Sequence, residues 1–488
     1  MDFRHLSDGI HLHNPHDGHE ASTPSWSSLN FTPQSVIETG DNGAGNGGSG
    51  YFFGSLVDSP VVVYMPINIA IAGYNSTADA NQSNTLQVDQ SATQIAGVGG
   101  DGGNDNASIG GSVSASGSGG LGAGTILSES NLAGSGGDGF SYGTIVNASF
   151  VLYHPINIAV AGPNSTAQAE QTNSVDIDQS AFQMAGVGGN GGDGNVALGG
   201  DVASVSGSGA GGIDTGGNGA GNGGDGHFSG SLVNAPVVIY MPINIAIAGY
   251  NSTVDAYQSN LVSVDQSVTQ IAGIGGDGGS GNASIGGSIS ASELGGEHSH
   301  GWLISSGGNH AGNGGDGFFH GNIVNASSAL FDPINIAMTG ANSSALADQA
   351  NNVKLVQSVF QMAGIGGYGG NGNLALGGKL GIDLSDFGFG SDVINAGHNE
   401  AGNGGNGFFF GSISNHPVAI FSPINIAIAG YNPTLDAHHI NNGHIDQGPF
   451  GMAAVGGDIG NGNLAMGGNV AGHFIPEHFM ADHHLLLG

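Results

Sequence analysis

The pentapeptide Pro-Ile-Asn-Ile-Ala occurs five times in this chain, starting at Pro66, Pro155, Pro242, Pro333 and Pro423, at intervals of 89, 87, 91 and 90 residues. So regular a period marks a stacked-repeat architecture, in which one unit cannot bury its apolar face alone and must lie against the next. It overrides the expectation that 488 residues would divide into about three globular domains. The units run 42–130, 131–216, 217–307, 308–397 and 398–470, between a polar, His-rich segment (1–41) and a short tail (471–488). A surface written five times suits a scaffold, fibre or binding array better than an enzyme with one site.

Within a unit the apolar pattern has period two. Ile67, Ile69 and Ile71 alternate with Asn68, Ala70 and Ala72, and Leu86 to Ala96 alternates in the same way. Alternation with β-branched residues predicts strands; a helix would need three- and four-residue spacing and would have to absorb Pro66. The fold class is therefore all-β: a repeat protein forming a β-solenoid, or stacked cross-β-like sheets, from five units of about 90 residues. Pro66 is expected to mark a corner before the strand, with the isoleucines on its dry face and Asn75-Ser76-Thr77 as the turn that leaves it. Copies one and three share Gly-Tyr-Asn-Ser-Thr, and copies two and four share Phe-Gln-Met-Ala-Gly. That longer period fits either faces that alternate along an axis or a tandem duplication.

Amides fall in the apolar phase. Gln90, Gln179, Gln266, Gln357 and Gln447 occupy one repeat position, and Asn68, Asn157, Asn244, Asn335 and Asn425 another. A buried amide is costly unless paired, and stacking identical copies lets each amide bond the one above and below. A half-exposed, solvated face is the alternative. The segment Asn68 to Gln82, repeated at Asn157 to Gln171, resembles the repeats of Fap-type functional-amyloid fibre subunits, and the Gln/Asn spacing is similar to curli repeats. That resemblance implies an extracellular β-stacked fibre that propagates by pairing with copies of itself.

Composition narrows the partners. Three Lys and Arg face 37 Asp and Glu, for a net charge of −34. Nucleic acid and anionic membranes are poor partners for such a chain. The longest apolar run, Val61 to Ala72, is too short to insert across a bilayer, which takes about 20 residues. There is no cysteine and no visible cleaved signal peptide. Acidic, Gly-rich, cysteine-free chains resemble cargo of type I secretion, which implies an extracellular or cell-surface location reached through a C-terminal signal such as 471–488; a cytoplasmic location also stays open. Gly134 to Phe140, with relatives at Gly221 to His227 and Gly312 to Phe318, resembles the calcium β-roll nonapeptide. The resemblance implies Ca²⁺ as cofactor, with Asp138, Asp225 and Asp316 as ligands; a plain turn is the competing reading. His5, His11, His13, His16 and His19, with His473, His478, His483 and His484, read as solvated ends, with a transition-metal site at His11-x-His13 as the alternative. No nucleophile elbow, P-loop, dinucleotide fingerprint or His-Glu-x-x-His is present, so no enzyme is expected. The expected function is a self-assembling structural subunit of an extracellular fibre or biofilm matrix. The second reading is a secreted Ca²⁺-binding adhesin or surface-layer protein acting as a monomeric rod.

Overall fold

A computed structural model describes residues 36–472, apart from 40, 111–112, 115–124, 129, 200, 208–211, 287–288, 295–302, 306, 378–379, 383–392, 396–397 and 467–469. The His-rich start and the tail with its candidate export signal lie outside the described residues.

The chain is all-β, and each repeat makes one coil of a solenoid. In coil one the strands are β1 (Val36–Thr39), β2 (Asn42–Ala44), β3 (Gly50–Asp58), β4 (Val61–Tyr64), β5 (Ile67–Ala72), β6 (Thr77–Asp89), β7 (Ala92–Val98), β8 (Ala107–Ile109) and β9 (Val113–Ser114). Each is an edge of a five-stranded sheet containing the equivalent strand of every other coil, giving nine such sheets among the described residues. Among the described residues all pairing is parallel, and equivalents meet in register, as in Asn68 with Asn157 and Asn157 with Asn244, except for a slip where Val202–Gly207 meets Ile289–Leu294. The odd and even copies therefore present the same faces, so the doubled period does not alternate the surface.

Each coil is flattened into two walls. One rises from β1 to β5, the chain reverses at Tyr74–Asn75, and the other returns from β6 to β9. The reversal is where Asn-Ser-Thr predicted it. Asn75, Asn164, Asn251, Asn342 and Asn432 all have φ between 48° and 55° there, a region asparagine enters more readily than most residues.

The space between the walls tapers. In the middle, Val151 and Tyr153 pack against Val175 and Ile177. Toward the reversal mostly alanines meet, as Ala159 and Ala161 against Ala167 and Ala169, with Val254 the larger member in coil three. In the other direction Ile145, Phe228 and Leu232 lie against Ala185 and Ala272.

Two expectations at Pro-Ile-Asn-Ile-Ala are corrected. The burial alternation runs without slip from Val61 to Ala72, and Pro66 points inward, so proline interrupts the ladder but makes no corner. The isoleucines are also on the outside. Ile67, Ile69 and Ile71 are 54%, 47% and 67% exposed, while Asn68, Ala70 and Ala72 are 6%, 3% and 3% exposed. The physical reason is width. Near the reversal the walls stand close enough for an asparagine to bond the backbone opposite, which leaves room for alanine and not for isoleucine.

Candidate functional site

The strands place one side chain of each coil directly over its equivalent, so the interior contains columns. In the Asn68 column each side-chain amide donates to the carbonyl oxygen of the next: Asn68 to Asn157 at 2.9 Å, Asn157 to Asn244 at 2.9 Å, Asn244 to Asn335 at 3.0 Å and Asn335 to Asn425 at 3.1 Å. The same amides also cross the interior. Asn157 Nδ2 donates to Ala169 O and Tyr257 O, both at 3.0 Å, and Asn244 Nδ2 to Ala256 O at 2.9 Å and Asp348 O at 3.0 Å. Each is at once a rung within its wall and a brace to the other wall.

The glutamine column runs with the opposite polarity. Gln179 donates to Gln90 at 2.9 Å, Gln266 to Gln179 at 2.9 Å, Gln357 to Gln266 at 2.8 Å and Gln447 to Gln357 at 2.5 Å. Further columns escaped the sequence reading: those of Asn131, Asn147 and Asn173, and that of Gln171. A signal for two of them was present, since Gln171 and Asn173 share the inward phase of Val175 and Ile177.

The glycine segments are not turns. They are the thinnest part of the core, where the walls touch backbone to backbone. Gly100 N donates to Gly48 O, Gly137 N to Gly100 O, Gly189 N to Gly137 O and Gly224 N to Gly189 O, each at 2.8 Å, so the bonds cross from wall to wall up the stack. A Cβ on Gly189 would lie 2.1 Å from Gly100 O. The strand ladder is replaced here by a lattice that only glycine can build.

Asp138, Asp225 and Asp316 stand in one column beside that lattice. Asp138 Oδ1 accepts the Asp225 N–H at 2.8 Å, Asp225 Oδ1 the Asp316 N–H at 2.7 Å, and Asp316 Oδ1 the Asn406 N–H at 2.6 Å. Each carboxylate thus uses one oxygen to tie the coil above, as the Asn190 amide oxygen does with the Asp277 N–H at 2.9 Å. Burial pushes the Asp225 carboxyl up from its ordinary range. The Asp316 N–H works against that shift, and the carboxylates above and below add to it. Among the described residues no three His, Asp or Glu side chains gather as a metal ion would require. The Asp89 column is arranged differently: Asp89, Asp178 and Asp265 each accept the N–H of the serine two residues on, at 3.0, 2.8 and 2.9 Å. The Ser91 hydroxyl and N–H hold the Asp89 carboxyl below its usual range.

The two outer surfaces differ in chemistry. Over β4, Met65-Pro66 and β5, six outward rows cross five coils, and 26 of those 30 positions are apolar; the exceptions are His154, Ser328, Asp332 and Ser422. In coil three the rows are Val237, Ile239, Met241, Ile243, Ile245 and Ile247. The outward side of β6 and its equivalents carries ten Asp and Glu (two, three, two, one and two in coils one to five) against one lysine, Lys354. Concavities are shallow: one open groove of about 550 Å³ runs along Ser91, Ser180, Phe182, Thr269 and Phe360, and another of about 600 Å³ along Ser174, Leu261, Val353 and His444. No helix among the described residues is long and apolar enough to cross a membrane.

Comparison with family models, curated proteins and solved structures returns no match for this chain.

Proposed function

We propose that this protein is a structural, non-catalytic subunit of an extracellular fibre or matrix that assembles end to end by continuing its own ladders. One observation carries the reading: the exposed edge of coil five matches that of coil one in its aromatic columns and in the Asn68 and Gln90 columns, although His439, Gly443 and Gly451 stand where coil one has Gln82, Leu86 and Gln94. Phe408 would fall over Tyr51, Phe409 over Phe52, Phe421 over Tyr64, Asn425 over Asn68 and Gln447 over Gln90. The amide polarities agree as well. Asn425 Nδ2 would donate to an Asn68 carbonyl, and Gln90 Nε2, a buried donor with no acceptor in the monomer, would donate to Gln447. Stacked rings inside the chain, such as Tyr51 on Phe140 at 5.0 Å and Phe319 on Phe409 at 5.1 Å, set the geometry such a junction would repeat. The acidic, cysteine-free composition supports a place outside the cell.

The coil-five edge carries a brake. In coils one to four the N–H after each Gln-Ser pair points up, as in Ala92 N to Ser180 O and Val359 N to Gly448 O. Pro449 stands at that position in coil five and has no N–H to offer. Pro433 likewise replaces the serine of Ser76, Ser165, Ser252 and Ser343. Proline on an edge strand weakens continuation without abolishing the other rungs.

Electron microscopy of the purified full chain is the test. Unbranched filaments are expected, and longer ones from the double variant Pro433→Ser, Pro449→Ala. Monodisperse rods from both proteins would overturn the reading, and rods that form only with calcium would favour the adhesin or surface-layer alternative.

A further inference from the structure

We propose that the apolar wall is a second interface, at which two copies pair face to face about a two-fold axis lying along the strands of coil three. This surface is separate from the coil edges, and the inference does not depend on end-to-end growth.

Three observations carry it. The first is size. Twelve residues at about 3.3 Å rise, crossing five strands about 4.8 Å apart, give a face of roughly 950 Å². A stable interface needs about 800 Å² from each partner. Isolated exposed apolar side chains are ordinary, but a continuous face of this extent marks an interaction surface.

The second is charge. With a net charge of −34, two copies repel in most orientations. Their acidic β6 walls are the backs of their apolar ones, so face-to-face pairing sets the acidic walls as far apart as the two bodies allow. Sheets of matching strand direction pack readily this way, about 10 Å apart.

The third fixes the axis. The row through the middle of the wall reads Met65, His154, Met241, Asp332 and Ser422 from coil one to coil five. His154 and Asp332 are its only titratable members. A two-fold along the coil-three strand exchanges coil two with coil four and leaves position along the strand unchanged. It therefore sets His154 of each copy against Asp332 of the other, and Met241 against its own equivalent. The other in-plane two-fold, along the solenoid axis, brings each coil against its own counterpart and makes no such pair. An isologous contact of this kind closes after two copies.

Sedimentation velocity of the full chain, read together with circular dichroism, tests the proposal. Once any filaments have been removed, the wild type left in solution is expected to sediment as a dimer at micromolar concentration. Ile245→Asp, and the milder Ile245→Thr, should weaken dimerisation by at least tenfold while retaining the wild-type spectrum. His154→Asp alone and Asp332→His alone should each weaken it, and the double exchange should restore it, because the pair is then merely reversed. A wild-type monomer, a dimer indifferent to Ile245→Asp, or an exchange that fails to restore pairing would each overturn the proposal. So would a monomer that binds phosphatidylcholine vesicles through this wall, since the occupant would then be lipid. Filaments without lateral pairing would defeat this inference and spare end-to-end growth; dimers without filaments would do the reverse.

Discussion

Asparagine in a dry interior is normally a liability, and here it does the work that a large aliphatic residue does elsewhere. Asn244 donates to a rung above and to two carbonyls of the opposite wall, and it accepts from Asn157. Removing it takes an acceptor from Asn157 and a donor from Asn335 and from two carbonyls of the opposite wall, and each net buried hydrogen bond is worth about 0.5–1.5 kcal/mol. Asn244→Ala should lower unfolding free energy by about 2 kcal/mol, read from a denaturant titration. Asp225 makes the opposite case. Its folded pKa is raised above 3.8, so the native state favours the neutral acid and ionisation at neutral pH works against folding. That penalty disappears as pH falls through the raised value and is absent below 3.8. Asp225→Asn keeps an acceptor for the Asp316 N–H, as Asn406 shows a side-chain amide fits this column. The variant should therefore melt at a higher temperature than wild type at pH 7, with the difference vanishing in acid; an equal gain at all pH values would contradict the ionisation account. The sequence made the amide columns legible, because identical residues at one repeat position announce a ladder. It did not reveal which side of β5 faces inward. Alternation assigns residues to two faces but not to inside or outside, and the rule that isoleucine is buried gave the wrong answer where the walls are too close to hold it.

At the scale of the element, the glycine segments were the least legible. Read locally, Gly-Gly-Asp-Gly looks like a turn or a calcium loop, because the feature that decides its role lies on the other wall, tens of residues along the chain. Gly100 and Gly137 meet at 2.8 Å between N and O only because neither carries a side chain. Gly189→Ala would drive a methyl group into Gly100 O from the coil below. Neither backbone can retreat without breaking its own bonds, so the expected loss is about 3 kcal/mol, at the upper end for overpacking. Protease nicking near residue 189, followed by mass spectrometry, would locate the opening. The same substitution at Gly48, where the space around a Cβ is empty, should be tolerated and serves as the control.

For the whole molecule, the repeat fixed the architecture more completely than any local motif. Five near-identical units in register leave only a few distinct environments: an interior of columns, an apolar wall, an acidic wall and two edges. Stacking, all-β content and unit number were all legible in the sequence, since each follows from periodicity. The one-sided distribution of charge was not, because it emerges only once the hairpin at Asn75 has sent β5 and β6 to opposite surfaces. The proposed end-to-end and face-to-face contacts draw on different environments, so they can coexist, and filament and dimer measurements address them separately.

The register also governs how the molecule must come into being. The strand pairs join residues 86 to 91 positions apart, as in the links from Asn68 to Asn157, Asn157 to Asn244 and Asn244 to Asn335. A chain no longer than one repeat consequently has no sheet to form, and the first strand pairing must close a loop of about 90 residues, a slow step by topology. Later repeats meet a finished template. Folding of such a chain is in this sense a nucleation followed by growth, and the nascent polypeptide has no sheet until the first strands of its second coil are available.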